Sequence, residues 1–223
     1  PIENTIAGRV SDIHRLMPTS NVNIIGETFL KINHCLMSLK NSSLKDIKIV
    51  RSHEMALSQC RNSIVNLGLE PVVSADTAGS AREVSDLKDI SIAAIASPLA
   101  AEIYDLKILK EDMEDAGHNT TRFLILCKDK IIPDNNDGQF ITTLVFKVKN
   151  VPSALYKALG GFATNGVNML KLESYQVDGS FQSTQFYTDL EGHIDSEEIK
   201  SAIDELKYYS EEIKILGVYP SSR

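Results

Sequence analysis

The sequence predicts an α/β protein in two parts, and three observations carry that prediction. Ahead of Lys128, short apolar runs alternate with helical patterns, the signature of strand–helix–strand units with a largely parallel sheet. The stretch KDKIIPDNNDGQ, Lys128 to Gln139, is polar and dense in turn formers, as a linker is. It divides the chain into a first domain at 1–128, a linker at 129–139 and a second domain at 140–223. In the second domain the apolar patterns run strand–helix–strand–strand–helix–strand, the ferredoxin-like βαββαβ order.

The first domain opens with adjoining strands at Val22–Phe29 and Ile32–Leu39 and another at Ile47–Val50. Ser52 then starts a helix with Ala56, Cys60, Ile64 and Leu67 on one face, at helical spacing, and Gly68 ends it. Val72-Val73 is a short strand and Thr77–Leu87 a helix. Ser91–Ala96 (SIAAIA) is a small-residue run suited to a buried strand. Pro98 starts a helix through Tyr104, and Arg122–Cys127 is the last strand.

In the second domain Phe140–Val148 is a strand, with Leu144, Phe146 and Val148 on one face. The helix Ser153–Asn165 carries Leu155, Leu159 and Phe162, and Gly166 sits at its end, where a left-handed residue is favoured. Val167–Val177 and Phe181–Leu190 are strands joined by Asp178-Gly179, a hairpin signal. Asp195 caps a helix with Glu198 three residues on, a variant of the capping box, and Ile199, Ile203 and Leu206 form its apolar face. Ile213–Tyr219 closes the domain. Such a domain has an apolar helix face and one exposed sheet face, so association through strand edges or faces is expected.

Composition narrows the function classes. Lys and Arg number 23 against 30 Asp and Glu, a formal charge of −7. An acidic chain without a basic run is not built to neutralise nucleic-acid phosphates. No apolar run reaches the length of a membrane helix. Cys35, Cys60 and Cys127 are scattered and odd in number, which gives no disulfide framework or metal motif and fits a reducing cytoplasm. No metal-ligand spacing, Gly-rich phosphate loop or nucleophile elbow is present.

Five segments hold residues suited to chemistry. In His118–Phe123 (HNTTRF), the Arg fork can bind a carboxylate bidentately, and a Thr hydroxyl can donate to a leaving oxygen; its plainer reading is a turn and a strand. Asp76–Ala81 (DTAGSA) runs small residues into a helix start, where backbone N–H groups attract an anion; plain capping is the commoner case. Pro1–Thr5 (PIENT) follows an apolar strand end with polar residues. Leu172–Gln176 (LESYQ) ends a strand of the second domain and could line a ligand site between subunits. His53 after Ser52 is read as a helix-capping residue.

Taken in order, these segments resemble the prephenate dehydratase family. Its order is a PIEN-type segment, SHxxALxQC, a STAGAA-type segment, AAIAS-ELAA, NxTRF and an ACT domain. Here those are Pro1–Asn4; Ser52, His53, Ala56, Leu57, Gln59 and Cys60; Asp76–Ala81; Ala93–Ala101; Asn119–Phe123; and Phe140 onward. The resemblance covers nearly the whole chain. It implies dehydratase lobes similar to type II periplasmic binding proteins, with the active site in the cleft, followed by an amino-acid-sensing ACT domain. It implies Thr121 as the catalytic residue and Asn4, Thr5, Thr77, Ala78, Gly79, Arg122 and Phe123 as substrate-binding residues. The implied reaction turns prephenate into phenylpyruvate, water and carbon dioxide without a cofactor. L-Phenylalanine is the implied effector, held by Ser153, Ala154 and Leu155 with Glu173 and Ser174 in a homodimer or homotetramer. Two departures stand out. Family members begin upstream of PIEN with a Gly-rich GPxGTxS-type segment, so an incomplete first lobe is expected. The ESRP segment reads Glu173-Ser174-Tyr175-Gln176, which puts effector identity in question. Two other readings fit the same residues: an arogenate dehydratase, or a binding module that senses an amino acid without catalysis.

Overall fold

A computed structural model describes residues 1–136, 138–176 and 184–223. The hairpin turn expected at Asp178-Gly179 lies outside the described residues. In chain order the elements are strands β1 (Glu3–Asn4) and β2 (Gly8–Arg9), helix α1 (Ser11–Leu16) with a 3-10 turn at Met17–Thr19, β3 (Asn23–Lys31), β4 (Cys35–Ser38) and β5 (Ile49–Ser52). Then come α2 (Glu54–Gln59), α3 (Arg61–Asn66), β6 (Glu70–Val73), α4 (Thr77–Leu87), β7 (Ile92–Ala96), α5 (Pro98–Ile103), β8 (Lys107–Lys110) and β9 (Thr120–Cys127). The chain ends with β10 (Phe140–Val148), α6 (Ala154–Thr164), β11 (Met169–Gln176), β12 (Thr184–Glu191), α7 (Glu197–Tyr209) and β13 (Ser210–Pro220).

These elements form two compact units that do not follow the linear split at the linker. One holds Asn4–Gly8 and Leu30–Thr121; the other holds Pro1–Glu3, Arg9–Phe29 and Arg122–Arg223. The chain therefore passes from one unit to the other between Thr121 and Arg122, inside a single strand.

The first unit is built on a sheet ordered β6-β5-β7-β4-β8. Strand β5 runs parallel to β6 and β7, but β4 is antiparallel to β7 and to β8. The sheet is thus mixed rather than largely parallel, because β4 runs against the other four strands; β8, which sequence patterning misses, pairs on its far side in the direction of β7. Side chains alternate across it. Leu36, Val50, Ala93 and Ile95 face Cys60 and Ile64, while Met37, Ala94 and Ala96 face Ala81, Val84 and Ala100. The small alanines of β7 let α4 and α5 approach closely.

The helix expected from Ser52 to Leu67 is two helices broken at Cys60, whose φ of −111° and ψ of 15° leave the helical basin. The break has a distant cause. The Asp115 carboxylate accepts the Asn62 and Ser63 backbone N–H at 2.9 and 3.2 Å, capping α3 anew. His53 does cap α2, its Nδ1 accepting the Met55 N–H at 3.2 Å.

In the second unit, β10 pairs antiparallel with β12 on one side and β13 on the other, and β11 joins β12. Helices α6 and α7 cover one face, packing Ala158, Phe162, Ile199, Ile203 and Leu206 on Leu144, Phe146 and Leu190. The face expected to be exposed is covered. Met17 and Ile24 pack on Ile141, Val145, Tyr187 and Tyr219, so the sheet has two dry faces. The approach is tight at Gly217, whose Cα pairs with Ile24, and where a Cβ would stand 2.1 Å from the Ile24 carbonyl oxygen. The α7 cap is Ser196, one residue after the expected Asp195; its Oγ accepts the Ile199 N–H at 3.4 Å. Gly166 has φ +68°, as its place after α6 predicts.

Candidate functional site

Thr121 stands in the first unit beside Asn4 and Asn119, and the local backbone fixes how they meet. Residues 4–8 double back in a turn because the Asn4 Oδ1 accepts the Ile6 and Ala7 N–H at 2.9 and 2.8 Å. The turn is tied to β9: the Thr5 N–H donates to the Thr120 carbonyl at 3.0 Å, and the Thr120 N–H donates to the Thr5 Oγ at 3.0 Å. The Thr5 hydroxyl donates to the His118 carbonyl at 2.5 Å. Thr5 is therefore a staple between two segments, with its donors already committed, rather than a free ligand contact.

The Asn4 Nδ2 then donates twice, to Asn119 Oδ1 at 2.7 Å and to Thr121 Oγ at 2.9 Å. This has a chemical consequence. Thr121 accepts a hydrogen bond within the protein, so its own hydroxyl proton is left to donate. Asn119 is fully buried, and its Nδ2 donates to Gln59 Oε1 at 2.9 Å. That oxygen also meets His34 Nε2 at 3.0 Å. Gln59 and His34 had no assigned role in the sequence, because nothing local links positions 4, 34, 59, 119 and 121.

Thr77, Ala78 and Gly79 open α4, where Asp76 is the cap and its carboxylate accepts the Gly79 N–H at 2.5 Å. A Cβ at Gly79 would lie 2.6 Å from that carboxylate, so glycine is what lets the cap close. No hydrogen bond among the described residues joins Thr77–Gly79 to the Thr121 cluster.

Arg122 takes a different part from the one expected. Its side chain belongs to the second unit and is 2% exposed. Nε donates to Glu27 at 2.6 Å, and one terminal nitrogen donates to Asp189 at 2.6 Å and Glu3 at 2.9 Å. The other donates to the Tyr219 hydroxyl at 3.1 Å. Burial opposes its charge, but Asp189, Tyr219 and Glu3 outweigh that and hold it more firmly protonated than usual. The fork is spent on carboxylates of the protein itself, so its geometry is that of a buried anchor and not of a substrate carboxylate ligand. Glu3 extends the network to Lys171 at 2.5 Å. Burial pushes the Glu3 carboxyl up, yet the bonds and charges of Lys171 and Arg122 prevail and hold it below its ordinary value. Phe123, next along β9, is half-buried.

The expected effector residues fall in two places. Ser153, Ala154 and Leu155 line a cavity of about 560 Å³ with Tyr156, Phe186 and Lys147. Ser153, at φ +63°, is the residue before α6 and makes no side-chain cap, while the Ala154 N–H donates to the Val151 carbonyl at 3.2 Å. Glu173 and Ser174 do not line this cavity. Lys171 Nζ lies 3.3 Å and Arg9 3.5 Å from the Glu173 carboxylate, and the Ser174 carbonyl accepts from Arg9 at 3.0 Å. Ser174 pairs across the ladder with Phe186, which does line the cavity.

Comparison with known proteins places this geometry in a family. The prephenate dehydratase family model matches residues 1–131. A bifunctional N-acyl-homoserine lactone acylase/prephenate dehydratase of Komagataeibacter europaeus is 49% identical over 221 residues, covering 99% of this chain and 78% of that protein. Arogenate dehydratase/prephenate dehydratase 1 of Arabidopsis thaliana is 38% identical, covering 99% of this chain but 59% of its own length. Among solved structures, prephenate dehydratase of Arthrobacter aurescens in complex with L-Phe aligns with a TM-score of 0.90 at 29% identity, covering 100% of this chain and 74% of that one. With the Asn4–Asn119–Thr121 cluster inside the matched segment, the chain belongs to the prephenate dehydratase family.

Proposed function

We propose that this protein carries the decarboxylative dehydration of prephenate to phenylpyruvate, with Thr121 as the group that engages the departing hydroxyl. The observation that carries the reading is the direction of the Asn4–Thr121 hydrogen bond, which leaves the Thr121 proton free. In the reaction the bond to the ring carboxylate breaks, its electron pair moves into the ring, and the C–O bond to the ring hydroxyl breaks. The departing hydroxide takes up a proton from solvent, so the products are carbon dioxide, water and an aromatic ring. A hydrogen bond from Thr121 stabilises the negative charge that develops on the leaving oxygen, and aromatisation supplies the driving force. Asn4 sets the hydroxyl direction, and the outward N–H groups of Thr77 and Ala78 suit a substrate carboxylate. No step needs a cofactor.

The same reading assigns the cavity at Ser153–Leu155 to the amino-acid effector, L-phenylalanine. Its carboxylate suits the start of α6, and its ring suits Leu155 and Phe186. Glu173 and Ser174 would then come from the second copy of an assembled homodimer or homotetramer. The test is steady-state turnover of prephenate and of arogenate by the full-length protein and by Thr121→Ala, with titration of L-phenylalanine, tyrosine and tryptophan. Loss of about 10²–10⁴ in turnover on removing the hydroxyl is expected; near-normal turnover by Thr121→Ala would sink the assignment. A preference for arogenate would shift the substrate and leave the chemistry in place. N-acyl-homoserine lactones belong in the same panel, because the relative that is 49% identical bears both activities in its name.

A further inference from the structure

We infer that Gln59, braced by His34, is a positioning residue for Thr121, acting through the buried Asn119 and Asn4; the inference rests on Thr121 as the donor to the leaving group. The direction of every bond in this chain is dictated from one end. The Ile6 and Ala7 backbone N–H groups can only donate, so Asn4 must present Oδ1 to them and Nδ2 to Asn119 and Thr121. Asn119 must then offer Oδ1 to Asn4 and Nδ2 to Gln59. Gln59 must accept, so His34 must carry a proton on Nε2. One acceptor atom, Gln59 Oε1, thus terminates the series that sets the Thr121 proton.

The far end is held by backbone. The Gln59 carbonyl accepts the Asp115 N–H at 2.8 Å, and the His34 carbonyl accepts the Met113 N–H at 2.9 Å. The His34 N–H donates to the Glu114 carboxylate at 2.9 Å. Residues 113–115 therefore clamp both braces and also impose the break at Cys60 that puts Gln59 at the end of α2.

Burial makes the series consequential. Asn119 has no exposed surface, so water cannot replace a lost Gln59 oxygen. Its amide would have to flip to find another partner, setting its Nδ2 against that of Asn4. Asn4 would turn, and Thr121 would lose the donor that keeps its own proton free. A residue that served only packing would cost stability and leave turnover alone.

A double-mutant cycle on the full-length protein separates these readings. Gln59→Met keeps the side-chain length and removes the acceptor. It is expected to lower kcat by about tenfold, the worth of one hydrogen bond, with KM within about twofold. Gln59→Glu keeps the acceptor and is expected to retain most of the rate. Gln59→Met added to Thr121→Ala is expected to cost nothing further. An unchanged kcat in Gln59→Met, or a full extra tenfold loss on top of Thr121→Ala, overturns the inference while leaving Thr121 in place. Near-normal turnover by Thr121→Ala alone removes Thr121 as the donor to the leaving group and the inference with it, while leaving the dehydratase reaction itself in place. Should Gln59→Met fail to fold, His34→Phe interrupts the same series one bond further out and is expected to lower kcat without moving KM; no effect there overturns the inference equally.

Discussion

Replacing Arg122 by Met is expected to unfold the second unit far more readily, and the magnitude follows from what the guanidinium leaves behind. Glu27 and Asp189 have no exposed side-chain surface, and Arg122 is the cation within 2.6 Å of each. Arg223 lies 3.9 and 4.0 Å from them and is about a third exposed, so it is a weak substitute. Removing one partner of a buried ion pair costs about 3–5 kcal/mol, because the remaining charge stays desolvated. With a urea dependence of about 2 kcal/mol per M for a unit of this size, the unfolding midpoint should fall by roughly 2 M. The control is to remove the carboxylates as well. Arg122→Met with Glu27→Gln and Asp189→Asn should regain most of the loss, since apolar and neutral groups of similar volume do not bear the penalty. Urea titration followed by circular dichroism reads both variants. A single variant within about 1 kcal/mol of the parent, or a triple variant no better than the single, would refute the reasoning. It would return Arg122 to the role of a ligand-binding fork.

Two further perturbations test other parts of the fold. Gly217→Ala should destabilise more than Gly79→Ala, as read from denaturation midpoints. At Gly217 the new Cβ meets a backbone oxygen at 2.1 Å, whereas at Gly79 it meets the Asp76 side chain, which can swing away at the loss of a cap worth about 1 kcal/mol. His14 is buried, with Nδ1 on the Val10 carbonyl and Nε2 without a partner among the described residues. Burial drives its pKa below the ordinary 6.5. A group depressed on folding contributes stability that is present above 6.5 and lost as pH falls toward the folded value. The melting temperature should therefore drop from pH 6.5 to about pH 5 in the parent, and less in His14→Phe, which keeps the edge contact on Tyr187; equal slopes would count against this account.

Much of the fold was legible because it is written in local periodicity. Strand β10 and helix α4 occupy the residues that their patterns mark, and the βαββαβ order followed from alternating apolar runs alone. Thr121 and Asn4 could be singled out because their segments occur in a recognisable order. What tertiary structure decided is everything that depends on a partner far along the chain. The break at Cys60 comes from Asp115, the second dry face of the sheet from Met17 and Ile24, and the placement of Asn4 from Thr120 and Asn119. Arg122 shows the difference most sharply. Beside Thr121 in sequence, it reads as a second ligand residue. Successive strand residues point to opposite sides, however, so Thr121 meets Asn4 while Arg122 turns into a buried set of carboxylates drawn from positions 3, 27 and 189. A sequence records which residues can donate, accept or carry charge; only the fold brings together the carboxylates that claim a given cation.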